Sequence, residues 1–298
     1  MIHHSVLLHE SIDGLAIRQD DIVLDATVNG GGHSAAMAER YGQSILIVGL
    51  DRDGNALEAA RKRLTAHGAR FELVQSDFRH LGKVLDQLGF ISINRALFDL
   101  GLSSNQLEES GRGFSFQKDE PLLMTFTDSP NEADVTARDV VNTWSEETLA
   151  QILSGFGEER YARRIAQAIV KVRGIKPIET TKDLVLIIES AVPKKYLHGR
   201  THFATRTFQA IRIAVNDELE ALTEGLSQAF DRLGVNGRMA VISFHSLEDR
   251  IVKRFFKDRA MKSLGNIITK KPLVPAEEER TRNPRARSAK LRIIEKIS

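Results

Sequence analysis

The sequence predicts an α/β fold in which an open, mostly parallel sheet is interrupted by a helical insertion. Three observations predict it. The first hundred residues alternate short apolar runs with stretches of helical spacing, as βα units do. Between about 107 and 203 no convincing strand pattern stands out. Buried apolar runs then return at 238–244 and 289–295, so the sheet resumes after the helices.

Taken in order, 22–25 reads as the first strand, running into the glycine-rich stretch DATVNGGGHS (25–34) and a helix through 34–39. The apolar run 45–50 leads to the acid of VGLDRD (48–53). Ala56, Leu57, Ala60 and Leu64 give 54–66 a helical apolar face, with Arg61, Lys62 and Arg63 outside. A third strand, 71–74, ends at Ser76-Asp77-Phe78, and a fourth, 95–100, breaks at Gly101. All four strands end in Asp or near it. Several carboxylates therefore line the carboxyl edge of one sheet, where open α/β sheets bind ligands.

In the insertion, Ser145 with Glu146 and Glu147 opens a helix. Residues 159–172 place Tyr161, Ile165, Ile169 and Val172 on one face and Arg160, Arg163, Arg164 and Lys171 on others, with Gly174 as cap. Thr180 and Asp183 form a capping box for a helix that Pro193 ends. Phe208, Ile211, Val215, Leu219, Leu222, Leu226, Phe230 and Leu233 recur by threes and fours, predicting one long helix up to Gly234. The expected division is 1–106 with 204–298 as the sheet domain and 107–203 as a helical, substrate-binding insertion.

Composition narrows the functional classes. With 298 residues, 42% of them hydrophobic, the chain can bury a sizeable core. No run of about 18 apolar residues spans a membrane, and the N-terminus carries no signal or presequence pattern, so a cytoplasmic location is expected. Absence of cysteine removes disulfides, thiolate nucleophiles and zinc–thiolate sites. No set of His, Asp and Glu has metal-ligand spacing, so no metal is expected. Charge is segregated: residues 1–159 hold 13 basic and 25 acidic side chains, residues 160–298 hold 29 and 15. That fits a basic surface meeting a polyanion or ordinary solvated helix faces, and charge alone leaves both open.

The chemistry lies at the strand ends. Gly30, Gly31 and Gly32 let a backbone approach a ligand closely, and Asp51, about 20 residues on, can accept two hydrogen bonds from a ribose diol. Both point to a nucleoside-bearing cofactor. His33 is either a cap or packing residue or part of that site. Asp77-Phe78 either covers adenine with a ring and accepts from its amino group, or packs in the core. After Asp99, the turn DLGLSS (99–104) exposes carbonyls and the hydroxyls of Ser103 and Ser104. Such acceptors can hold the hydrogens of an aromatic amine and turn its lone pair towards an electrophile. A nicotinamide enzyme would instead need a surface fixing hydride geometry. In ISFHSLEDR (242–250), Ser246 and Asp249 read as a capping box, while His245 sits at the same sheet edge and could contact substrate. Arg206 and Arg212, and Arg285 and Arg287 in NPRARSAK (283–290), either contact phosphates or pair with acids.

VLLHE (6–10), DATVNGGGHS, GLDRD, FDLGLSSNQLE, RGFSF, GEERYARRIAQAIV, ATRTFQAIRIAVNDEL, VISFHSLEDRIVKRF and NPRARSAKLRI follow one another along nearly the whole chain. In this the sequence resembles the MraW (RsmH) family of S-adenosylmethionine-dependent methyltransferases, which modify the exocyclic amino nitrogen of a cytidine in 16S rRNA. The resemblance implies a Rossmann-like class I methyltransferase sheet with an inserted helical domain. It implies cofactor contacts at Gly31, Gly32, His33, Asp51, Phe78, Asp99 and Gln106. It also implies a cytidine of the decoding region presented on the small ribosomal subunit, and a homodimer. Three positions depart from the family pattern: Asn29 replaces a glycine, Phe203 a proline, and DEPLLMTFT (119–127) stands where DGPLDMRMD is usual. The altered loop keeps a second function open, an RNA-binding assembly factor that retains the cofactor pocket.

Overall fold

Apolar runs rich in Val, Ile and Leu, each returned by a helix, build the sheet; a computed structural model describes residues 5–199 and 201–298, without the Ser104 side chain. α1 (Leu8–Leu15) precedes β1 (Ile22–Asp25), α2 (Gly32–Tyr41) leads to β2 (Leu46–Asp51), and α3 (Gly54–Ala66) to β3 (Arg70–Gln75). α4 (Leu81–Gln87) then leads to β4 (Ile93–Asp99). Seven helices follow: α5 (Ser104–Glu108), α6 (Ala137–Thr143), α7 (Glu146–Gly155), α8 (Ala162–Arg173), α9 (Thr181–Ala191), α10 (Lys194–Leu197) and α11 (Thr205–Asn216). The chain ends with α12 (Glu218–Arg232), β5 (Leu233–Ser243), α13 (Ser246–Met261), β6 (Gly265–Ile267), α14 (Glu277–Arg282) and β7 (Lys290–Lys296).

The strand order is β3-β2-β1-β4-β5-β7-β6. Strands β1 to β5 pair in parallel, and β7 runs antiparallel between β5 and β6. This is the expected open, Rossmann-like α/β sheet. The order reverses between β1 and β4, which opens a crevice at their carboxyl ends.

Two compact units result: Met1–Gly101 with Leu219–Ser298 holds the sheet, and Leu102–Glu218 is helical. In the sheet unit, adjacent residues of one strand serve opposite faces. Leu24, Val48, Phe98 and Val241 pack with Leu226, Phe230 and Phe256. Their neighbours Val23, Ile47, Leu97 and Ile242 pack with Leu15 and Met37. Burial on both faces is why these strands read as continuous apolar runs. The helical unit has its own core, including Val140, Leu149, Leu153, Ile165, Ile188 and Phe208. Ser145 caps α7, and Thr180 with Asp183 forms the expected capping box of α9.

The long helix expected up to Gly234 is two helices. Asp217 takes a left-handed conformation (φ 50°) that ends α11, and α12 starts at once. α11 packs on α6 and α7 within the helical unit, whereas the sequence reading assigned 204 onwards to the sheet domain. β6, only three residues long, had no readable pattern. No helix among the described residues is long and apolar enough to cross a membrane.

Candidate active site

Beyond β1 the chain turns through left-handed residues, Asn29 (φ 52°) and Gly31 (φ 76°). Asn tolerates this conformation better than most side chains, so Asn29 satisfies the backbone where the resembling family has glycine. A Cβ on Gly31 would lie 2.9 Å from Ala60 Cα, so glycine lets α2 start against α3. One on Gly30 would meet nothing within 4 Å, which leaves that side of the turn open, and Gly32 begins α2. Asp51, at the tip of β2, pins the turn: Oδ2 accepts from Asn29 N at 2.7 Å and Oδ1 from Asp53 N at 2.9 Å. Burial pushes its carboxyl up to about 6, against the opposing pull of those two amides. Each oxygen keeps a second lone pair for a ribose hydroxyl.

Across the crevice, β4 ends on Asp99. Its backbone N–H donates to Thr27 Oγ1 at 2.6 Å, and its Oδ1 is buried without a hydrogen-bond partner among the described residues. The His33 ring lies beneath the turn, with Nδ1 3.4 Å from Asp99 Oδ2 and Nε2 3.2 Å from the Val6 carbonyl. Burial resists charging this ring, yet the carboxylates of Asp99 and Asp25 outweigh it and the net shift is upward. Asp25, closing β1, accepts from Ser34 Oγ at 2.5 Å; burial raises its carboxyl. The His33 ring is buried and faces Asp99.

Other expected residues are engaged differently. Asp77 accepts from Arg79 N at 2.9 Å as a cap and lies 3.4 Å from Arg52, so its carboxylate is already engaged by protein groups. Phe78 packs edge-on against Phe98, centroids 5.6 Å apart, and against Gly225, yet stays half-exposed. It serves the core and retains surface for a base. His245 caps α13, one residue earlier than expected. Glu248 N donates to its Nδ1 at 3.4 Å, while the Glu248 carboxylate accepts from Phe244 N at 2.8 Å. The expected box at Ser246 and Asp249 is corrected: Asp249 pairs with Arg292 at 2.7 Å and Lys290 at 3.1 Å.

In the helical unit, Ser103 and Gln106 are buried and form the capping box of α5. The Ser104 side chain lies outside the described residues. Arg160, Arg163 and Arg164 are exposed and line, with Tyr161 and the acids Glu146, Glu147 and Glu159, a groove of about 910 Å³ between α7 and α8. Arg206 is exposed and donates to Glu158 O at 2.7 Å. Arg212 does not join this basic set, because Glu218 holds its guanidinium at 2.8 and 2.9 Å. The altered 119–127 loop is fastened from outside. Arg112 donates to the carbonyls of Thr125, Phe126 and Thr127 at 3.0, 2.8 and 2.9 Å, and Asn216 donates to Met124 O at 2.7 Å. Sequence reasoning missed these two fasteners, although RGFSF and AVNDEL contain them. In the sheet unit, Arg285 and Arg287 lie on the short 3₁₀ turn Pro284–Ser288, the latter exposed.

The open glycine turn, the Asp51 carboxylate and the Asp99 oxygen, unpartnered among the described residues, fit a nucleoside cofactor that carries N–H donors. The MraW methylase family model matches residues 1–297. The chain belongs to the MraW methylase family. "Ribosomal RNA small subunit methyltransferase H" of Heliobacterium modesticaldum is 48% identical, over 100% of this chain and 99% of that protein. The proteins of the same description in Brevibacillus brevis and Clostridioides difficile are each 43% identical, over 99% of this chain and 98% and 99% of theirs. A solved rRNA methylase from Streptococcus thermophilus is similar over 100% of this chain and 99% of that one, at 16% identity and a TM-score of 0.47.

Proposed function

We propose that this member of the family transfers a methyl group to the exocyclic 4-amino nitrogen of a cytidine in the decoding region of 16S rRNA. S-adenosylmethionine, when bound, supplies an electrophilic methyl group on sulfur. Asp51 accepts from the ribose hydroxyls with the lone pairs that Asn29 and Asp53 leave over. Phe78 offers its exposed surface to adenine, and the open side of Gly30 admits the backbone's approach to the methionine portion. The observation that carries the reading is Asp99 Oδ1, a buried oxygen with no partner among the described residues, at the rim of the β1/β4 crevice. An aromatic amine is a weak nucleophile, and an acceptor for its N–H orients its lone pair and takes up positive charge as the new bond forms. The exposed Arg160, Arg163, Arg164 and Arg206 suit RNA phosphates, and Tyr161 suits a stacked base. Reaching a base requires it to be turned out of its stack.

The small subunit as the presented substrate, cytoplasmic action and a homodimer complete the reading, on the strength of the family. The test incubates the full chain with labelled cofactor and unmodified small subunits, then maps the label by nucleoside analysis. Label on the 4-amino nitrogen of one cytidine is expected. Methyl on a base carbon or a ribose oxygen rejects the reaction. Subunit binding with no transfer favours the assembly-factor reading raised by the 119–127 loop.

A further inference from the structure

Both nitrogens of the buried His33 ring face acceptors. A peptide carbonyl cannot donate, so the contact with Val6 O at 3.2 Å places a proton on Nε2. Nδ1 then faces Asp99 Oδ2 at 3.4 Å, and two lone pairs would oppose each other there unless a second proton is held between them. The titratable groups facing the ring are Asp99 from the end of β4 and Asp25 from the end of β1, while the N-terminal segment contributes the Val6 carbonyl. Asp13 of α1 and Arg40 of α2 pair with each other at the surface. Ser34 satisfies Asp25 from the same helix as the ring. One side of the ring is therefore anionic and the other a fixed acceptor.

We infer that His33 is a positioning residue held as an imidazolium, which holds Oδ2 of Asp99 and so turns the carboxylate for Oδ1 to accept an amine N–H. This rests on the proposed methyl transfer for the identity of the amine, not for the state of the pair. Oδ2 is taken by the imidazolium; Oδ1 remains buried and without a partner among the described residues. Two amines offer that chemistry, the α-ammonium of the cofactor and the 4-amino group of cytosine. The Val6 contact also explains why the segment preceding α1 belongs to the site, although it lies 27 residues from His33.

The test begins with nitrogen NMR of the full-length chain labelled in its histidines. Both His33 nitrogens should be protonated at about pH 7.5, and the midpoint should fall by about one unit or more in Asp99→Asn. A neutral ring at that pH, or a midpoint that Asp99→Asn leaves in place, overturns the inference. His33→Gln then locates the amine, because it keeps a donor and loses the charge. A rise of about tenfold or more in the Kd of S-adenosylhomocysteine identifies the cofactor's ammonium. A comparable fall in kcat at saturating cofactor, with that Kd held, identifies the base. Both quantities within about twofold of wild type count against a positioning role. An active enzyme with a neutral His33 overturns this assignment alone. A wild-type chain that never transfers methyl, yet shows the charged ring, overturns the reaction alone.

Discussion

At the scale of single residues, Asp51 fixes the glycine turn through Asn29 N, and its proposed second task is to accept from a ligand. Its carboxyl, raised to about 6 by burial, gives pH dependence of unusual sign. A folded-state value above the unfolded one favours folding only while the group is protonated. That contribution is complete below about pH 4 and lost as pH rises through about 6. Asp51→Asn should remove this component from denaturation curves measured between those limits. Hydroxyl donors prefer the ionised form, so the affinity for S-adenosylhomocysteine should weaken by up to about tenfold per unit below pH 6, with proton release seen by calorimetry in buffers of different ionisation heat. Constant affinity from pH 5 to 7 would contradict this role. The place of Asp51 at the tip of β2 was legible because the apolar run before it reads as a strand that ends on the acid. The His33–Val6 contact was not, since nothing in the local pattern says which backbone carbonyl will face a buried ring.

At the scale of elements, helix packing in the helical unit depends on Gly157. A Cβ there would lie 2.5 Å from Arg206 O and 2.7 Å from Leu153 O, both backbone atoms. Gly157→Ala should destabilise the helical unit by about 1–3 kcal/mol, read as a lowered unfolding midpoint by circular dichroism. Thr180→Ala, which removes the α9 cap, should cost about 1 kcal/mol by the same measurement. An unchanged midpoint in either variant would show that the contact or cap carries no weight. The strands were readable because two-sided burial makes them apolar throughout. The break between α11 and α12 was hidden because Val215 and Leu219 keep the helical spacing across Asp217, whose left-handed backbone interrupts the helix without changing the apolar phase. The cap at His245 was misplaced by one residue because histidine is a less familiar cap than serine, and the ring rather than the hydroxyl meets the N3 amide.

At the scale of the whole molecule, the excess of basic over acidic residues beyond 160 suits a polyanionic substrate. Arg160, Arg163 and Arg164 replaced together by Ala should lower the slope of log affinity against log salt by about 2 for single-stranded RNA, as loss of three phosphate contacts requires. An unchanged slope would return these arginines to the solvated helix face that charge alone also allowed. Arg212 illustrates the limit of reading charge from sequence: its acid partner, Glu218, lies only six residues on, yet nothing in the spacing fixes the pair across the end of α11. On the proposed function, the crevice where the strand order reverses takes a nucleoside cofactor of the methyl-donor type. Calorimetric titration of the full chain with S-adenosylhomocysteine, alongside NAD, tests it most directly. Micromolar binding of the former and none of the latter is predicted; heat with NAD alone would show that the crevice holds a dinucleotide instead.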